Sequence, residues 1–339
     1  MFDVLIYVVI IFFLNLFIKK KKYLQSYNGS DHQKLTNTSI PLTGGIFLIL
    51  PITLIFNNDF ILFLTTFFCL SVIGLLSDSN ILSSAKKRFF LQLIVISLFV
   101  FISKLEVLPS RIDFIDKNFK NTYLSYLFTV FCLMILINGS NFIDGLNGLL
   151  LGYFSLILVV LYKSNLIMSL GLSVENIQYF LVLFLFILFL NFTNQLFLGD
   201  NGAYSLSFFI GYILIYIYNS NNFVTPYFII LLLWYPCFET LFSIIRKLIT
   251  NNNPLEPDNK HLHQYLFIYF QRKLKLKDIY SNIFSSLSIN LYNLIIFFVA
   301  SKNLNQTYIQ INLLILNVLF YFGFYLLLQR LIFEKKFNH

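Results

Sequence analysis

Long apolar runs broken by short polar stretches set the pattern of this chain. Such runs lie at 4–18, 43–57, 60–76, 89–103, 124–137, 145–162, 178–196, 203–218, 224–244, 279–300 and 307–329. None shows the strict alternation of a half-buried strand, and their length predicts helices that cross a bilayer. The expected architecture is all-α: one transmembrane domain over 1–339 with about eleven spanning helices. Several runs fall short of the ~20 residues that a hydrocarbon core requires, so half-helices are expected among them. The first run lacks a basic start and a small-residue cleavage site, and is followed by Lys19–Lys22. It reads as an uncleaved span with the N-terminus outside.

Composition excludes an ordinary soluble globule. Hydrophobic residues make up 58% and charged residues 12%, against about a quarter charged in soluble domains. The net charge of +9 is a topology signal before it is a nucleic-acid signal, and no nucleic-acid partner is expected. With eleven spans, Lys104, Arg111, Lys117, Lys120, Lys163 and Lys302 fall on one side and the other 18 of the 24 Lys and Arg on the opposite side. The positive-inside rule makes that second side cytoplasmic, together with the C-terminus. Cys69, Cys132 and Cys237 sit in apolar runs without CxxC spacing, so neither a disulfide framework nor a zinc site is indicated. The abundant Phe and Tyr and the Asn clusters read as compositional drift and carry no functional weight.

The polar residues that interrupt the pattern gather on the basic side. In 197–204, FLGDNGAY, Asp200 is the one charge between two long apolar runs. An ionisable group beside a span is costly without a partner, so a metal or phosphate site stands against a solvated turn in which Asp caps a helix. In GLLSD followed by SAKKRFFLQ, Asp78 lies close to Lys86 and Arg88. Two cations and a carboxylate suit a phosphate; contact with lipid headgroups is the alternative. In 138–149, NGSNFIDGLNGL, a continuous helix would set Asn138, Asn141, Gly145, Gly148 and Gly152 on one stripe with Asp144 beside it. Glycines there suit close packing, whereas two amides and a carboxylate want polar partners. Glu239, Ser243 and Arg246 share a helix face, and a cytoplasmic loop brings His261 and His263. Two His at a spacing of two would suit metal on an extended strand, but no third soft ligand accompanies them, so donation to phosphate is the better functional reading. PLTGG at 41–45 reads as a turn opening the second span, after a loop with Lys34. Polar groups confined to one face fit a soluble cytoplasmic substrate meeting a membrane-held one better than a transporter.

Taken in order, PLTGG, GLLSD with SAKKR, NxxNFIDGLNGL, FLGDNGAY, ETLFSIIRK and PDNKHLH resemble the polyprenyl-phosphate N-acetylhexosamine-1-phosphate transferases, over about residues 30–270. The likeness is greatest to the undecaprenyl-phosphate GlcNAc-1-phosphate branch that initiates O-antigen or teichoic acid synthesis. The resemblance implies an enzyme of the plasma (inner) membrane with its site facing the cytoplasm. Its partners would be a UDP-N-acetylhexosamine, undecaprenyl phosphate and the bilayer, with a homodimer left open. It implies Mg²⁺, or Mn²⁺, bound through Asp200 with Asn141, and catalytic roles for Asp78, Asp144 and Asp200. Lys34, Lys86, Arg88, Arg246, His261 and His263 would hold the substrates' phosphates, and Asn138 would also bind substrate. The family has two adjacent Asp where this chain has Ser77 and Asp78, so one carboxylate is missing. Thr36 replaces a frequent His, Ala203 a frequent Ser and Asn147 an occasional Asp. A transporter and a catalytically degenerate member remain the alternatives.

Overall fold

The computed structural model describes residues 2–25, 40–56, 60–107, 109–119, 121–253 and 258–333. The described residues form helices and connecting turns: α1 (Phe2–Lys21), α2 (Gly44–Ile55), α3 (Ile61–Asp78), α4 (Ala85–Ser103), α5 (Asp113–Asn118), α6 (Thr122–Ile143), α7 (Leu149–Lys163), a 3-10 turn at Leu166–Leu170, α8 (Val174–Phe192), α9 (Gly199–Ser220), α10 (Pro226–Ile249), α11 (Leu262–Arg272), α12 (Asp278–Ser301) and α13 (Thr307–Phe333). Each of the eleven apolar runs lies largely within one helix. Seven of these helices are long and apolar enough to cross a bilayer: α3, α6, α8, α9, α10, α12 and α13. Two more, α2 and α7, are apolar but only 12 and 15 residues long, the half-helix lengths anticipated. The first turn of α4 carries Lys86, Lys87 and Arg88.

Helix α9 is the hub. Its most apolar stretch is 94% buried inside the protein, against 22% for the peripheral α13. It packs most extensively on α3, and also on α2 and α6. Glycine sets how closely these helices approach. A Cβ on Gly74 would lie 2.3 Å from the Asn201 Cα, and one on Gly45 would lie 2.3 Å from the Gly202 nitrogen. Farther along α9, Phe208 and Tyr212 stack on Phe63 of α3, and Phe99 of α4 meets both edge-on.

Several single asparagines within the helices are structural. With no water in a bilayer core, a buried amide must find its partner on a neighbouring helix. Asn201 donates to the Ser71 carbonyl and hydroxyl at 2.7 and 2.6 Å. Asn293 accepts from the Trp234 indole at 2.7 Å, Asn317 from Tyr292 at 2.6 Å, and Asn290 donates to the Gly148 carbonyl at 2.9 Å.

Contacts sort the connections onto two ends. At one, Arg111 donates to the carbonyls of Asn222 and Val224 at 2.8 and 3.0 Å, Asn219 to that of Glu106 at 3.1 Å, and the Thr225 amide to that of Leu304 at 2.9 Å. At the other, Lys19 and Asn15 reach Gln195, and the segment 41–45 pairs with 197–198.

The candidate active site

The first half of the site is built where α3 ends, α4 begins and α9 begins. Gly199 is in the left-handed region (φ +77°), and a Cβ there would lie 2.7 Å from an Asp78 oxygen. That bend aims the first amides of α9 at the end of α3. Asp78 accepts from the Asp200 amide through Oδ1 at 2.9 Å and from the Asn201 amide through Oδ2 at 3.1 Å. Asp78 therefore caps α9, whose own preceding residue, Leu198, offers no side-chain cap. The alternative in which Asp200 caps a helix therefore does not hold, and both Asp78 oxygens hold backbone amides. PLTGG buttresses the same turn. Gly44 and Gly45 donate to the Phe197 and Leu198 carbonyls at 2.9 and 3.1 Å, and Phe197 donates to Pro41 at 2.8 Å.

With its backbone fixed from α2 and α3, the Asp200 side chain faces the start of α4. Its Oδ2 accepts from Arg88 at 2.7 Å, from the Ser77 hydroxyl at 2.5 Å and from the Tyr204 hydroxyl at 3.2 Å. Arg88 also donates to Ser77. The Arg88 and Asp200 side chains are each 24% exposed, so the pair is reachable from solvent. Ser77 thus puts a hydroxyl where the resemblance leads one to expect a second carboxylate, and Arg88 spans the two. Tyr204 was not anticipated, although its i+4 spacing from Asp200 places it on the same helix face. Lys86 is exposed.

The end of α6 forms the middle. Asn138 donates to the Met134 carbonyl at 2.8 Å and to Gln92 at 3.4 Å. Gln92 lies one turn beyond Arg88 on α4, which runs against α6. Asn141, the next turn of α6, therefore lies at the same end of the bundle as Arg88 and Asp200. The expected single stripe does not form. Helix α6 stops at Ile143, Asp144 caps it, and Gly148 (φ +76°) starts α7. Gly148 is held by Asn191, which accepts from its amide at 2.5 Å, and a Cβ on Gly148 would strike Phe192. This break leaves Asn141 and Asp144 at a helix terminus rather than along a packed face. Asn147, the departure noted above, donates to Asn194.

The second half joins α10 and α11. Glu239 is fully buried, and its Oε1 meets His261 Nδ1 at 3.0 Å and the Leu262 amide at 3.3 Å. Asp258 meets Arg246 at 2.8 Å, Lys247 at 3.7 Å and His261 Nε2 at 3.5 Å. The guanidinium beside it holds the Asp258 carboxyl below its usual range against the opposing effect of burial. The Phe142 ring lies 5.5 Å from that of His261, which brings this cluster against the end of α6. The histidines do not lie on an extended strand. His261 precedes α11 and His263 is in its first turn. His263 is fully buried, its ring stacks on His261 at 5.5 Å, and among the described residues neither ring nitrogen has a hydrogen-bond partner. Burial lowers its pKa to about 3. In this conformation His263 does not reach a substrate, which corrects its assignment as a phosphate contact; His261, at 2% exposed, backs Asp258 rather than facing solvent. Lys34 lies outside the described residues. Among the described residues no group of three or more His, Cys, Asp or Glu is placed to hold a metal.

A polytopic helical protein with its carboxylates, amides and guanidinium groups at one end of the bundle is the class that fold and site define. Residues 60–218, a little under half of the chain, match the family model for glycosyl transferase family 4. A probable undecaprenyl-phosphate N-acetylglucosaminyl 1-phosphate transferase of Bacillus subtilis is 30% identical over 208 residues, which are 60% of this chain and 56% of that one. An undecaprenyl-phosphate alpha-N-acetylglucosaminyl 1-phosphate transferase of Thermotoga maritima is 27% identical over 286 residues, 83% of this chain and 84% of that one. The first alignment thus spans little more than half of the Bacillus protein. The matched segment carries Ser77, Asp78, Arg88, Asn141, Asp144 and Asp200.

Proposed function

We propose that the protein transfers an N-acetylhexosamine-1-phosphate from a UDP-sugar to undecaprenyl phosphate, releasing UMP, at the cytoplasmic face of the plasma membrane. The observation that carries this reading is Asp200. A partly exposed carboxylate, fixed by Asp78 through its own backbone and paired with Arg88, lies within the segment that matches the family. In the reaction an oxygen of the lipid phosphate attacks the phosphorus that bears the sugar. The bond from that phosphorus to the bridging oxygen breaks, and UMP leaves with the electron pair. The lipid phosphate is already ionised at neutral pH, so no base is required to deprotonate it.

Positioning and charge stabilisation supply most of the catalysis in such a transfer. Arg88 would bind phosphate oxygens from the α4 side and Arg246 from the α10 side, with Lys86 at the exposed rim. Asn138, Asn141 and Asp144 would line the end of α6 between them. Magnesium fits this donor set, because it is commonly held by one or two carboxylates together with substrate phosphates rather than by an all-protein cage. Asp200 would be its protein ligand, joined by Asn141; when bound, the ion neutralises charge on the leaving UMP. Manganese would serve in its place.

The test is UMP release from a panel of UDP-N-acetylhexosamines with undecaprenyl phosphate, by purified protein in Mg²⁺ and after chelation. Turnover that disappears with chelator and returns with Mg²⁺ or Mn²⁺ supports the reading. Asp200→Asn should lower turnover by at least about a hundredfold while the protein still inserts and folds. The arrangement at Ser77 favours one alternative, a degenerate member in which Arg88 permanently occupies the carboxylate. Absence of UMP release with every donor would establish it.

A further inference from the structure

Glu239 is the buried acid that the reaction as proposed does not use. It is fully buried on α10, outside the segment that matches the family, and the hydroxyls of Tyr235 and of Tyr321 on α13 lie beside it. Burying a carboxylate is costly unless charged or strongly donating groups compensate it. Here the compensation comes from the loop leading into α11. One oxygen, Oε1, faces both His261 Nδ1 at 3.0 Å and the Leu262 amide at 3.3 Å. An ionised carboxylate only accepts hydrogen bonds. The Leu262 amide can only donate, and the shared oxygen requires that Nδ1 carry a proton as well. The ring's second nitrogen then faces Asp258 at 3.5 Å, and Asp258 holds Arg246 at 2.8 Å. The chain Glu239, His261, Asp258, Arg246 runs from the fully buried carboxylate to a guanidinium that is 15% exposed. It passes the Phe142 ring, and with it the end of α6.

We infer that Glu239 is a positioning residue. It fixes His261 in the form protonated at Nδ1 and sets the ring's orientation. Through Asp258 it thereby holds Arg246 where it addresses a phosphate of the substrate. The last step rests on the transferase reading; the first does not. A group that orients a histidine through one nitrogen decides what the other presents. Glu239→Gln can keep a carbonyl oxygen facing both donors, so the informative variant is Glu239→Leu, which removes the acceptor altogether. Asp258 is then the carboxylate left facing the ring, the proton should shift to Nε2, and Arg246 should lose its fixed geometry.

The chain has four histidines, at 32, 261, 263 and 339, so nitrogen NMR of histidine-labelled protein in detergent resolves the question. Wild-type His261 is expected to carry its proton on Nδ1, and in Glu239→Leu that signal should move to Nε2. A bare Nδ1 in the wild type overturns the inference even if the variant fails to fold, and so does an unmoved signal in a folded variant. Kinetically, Glu239→Leu should raise KM for the UDP-sugar roughly tenfold to a hundredfold, with a smaller change in kcat. Glu239→Asp should recover part of that loss. In a His261→Gln background the same substitution should cost little more, because both act along one chain. Additive losses would overturn the relay to Arg246. Wild-type protein that releases no UMP but carries the Nδ1 proton would remove the transferase reading and leave the histidine assignment standing.

Discussion

Asp200 is a carboxylate whose Oδ2 accepts from three donors, at 2.5, 2.7 and 3.2 Å. Arg88 is one of them and also donates to Ser77. Under the proposed reading Asp200 would hold the metal and Arg88 a phosphate oxygen, so the two would exchange their ion pair for these partners. Ser77 makes the resting pair one negative group to one positive group. Ser77→Asp adds a second carboxylate at that point and should tighten Mn²⁺ binding by about tenfold in the absence of any substrate, since site charge governs affinity for hard cations. Electron paramagnetic resonance titration reads this directly, and unchanged affinity would remove Ser77 from the metal's surroundings. His263 supports a different expectation. Its pKa is lowered to about 3 in the folded protein from 6.5, so as pH falls from about 6.5 the unfolded chain takes up a proton that the folded chain refuses. Stability should therefore decline from about pH 6.5 downward, at up to about 1.4 kcal/mol per pH unit. Asp258, whose pKa is lowered from 3.8, has the same sign but acts below that value, so the window from 6.5 to 4 belongs to the histidine. Melting temperatures at pH 7.5 and 5 should differ less in His263→Leu than in the wild type.

At the scale of elements, the site depends on how closely α2, α3 and α9 approach. A Cβ on Gly45 would lie 2.0 Å from the Asn201 side-chain oxygen, and one on Gly74 would meet the Asn201 backbone at 2.3 Å. Packed helices relieve such overlap by moving apart, at roughly 1–3 kcal/mol or more. Gly45→Ala and Gly74→Ala should each lower the melting temperature and uncouple Asp78 from the first amides of α9. Gly323→Ala is the control. It lies in α13 with nothing within 4 Å of its new Cβ, so it should be neutral or slightly stabilising. Equal melting temperatures in all three variants would show that the α9 approach tolerates separation. PLTGG thus serves α9 through backbone hydrogen bonds, which explains why these residues need be neither charged nor reactive.

For the whole molecule, the division into two ends makes the orientation testable. In a background lacking Cys69, Cys132 and Cys237, a cysteine at Asn222 or Lys302 should react with a membrane-impermeant maleimide added outside intact cells. One at Thr250 should react only after lysis. The reverse result would place the site on the outer face and end the proposal of a cytoplasmic nucleotide-sugar donor. The eleven-span reading of the sequence expects most of the cations at the end that holds Asp200, and the labelling tests that expectation.

Although α5 and α11 form no long apolar run and were not legible in it, hydropathy alone determined that the chain is helical and where its apolar helices fall. These follow from one strong and local rule, that a backbone in lipid must satisfy its own hydrogen bonds. Spacing also placed Glu239, Ser243 and Arg246 on one face, and the structure agrees: Arg246 donates to Ser243 at 3.3 Å. Tertiary structure decided what each polar group does. No local signal reports that Asp78 caps a helix more than a hundred residues away, that Arg88 closes on Asp200, or that the stripe from Asn138 to Gly152 breaks at Gly148. Nor could the sequence separate an asparagine tying two helices from one in a loop. Which partner a carboxylate or an amide finds depends on helices meeting in three dimensions, and that meeting is set by glycine contacts and aromatic stacking between segments far apart in the chain.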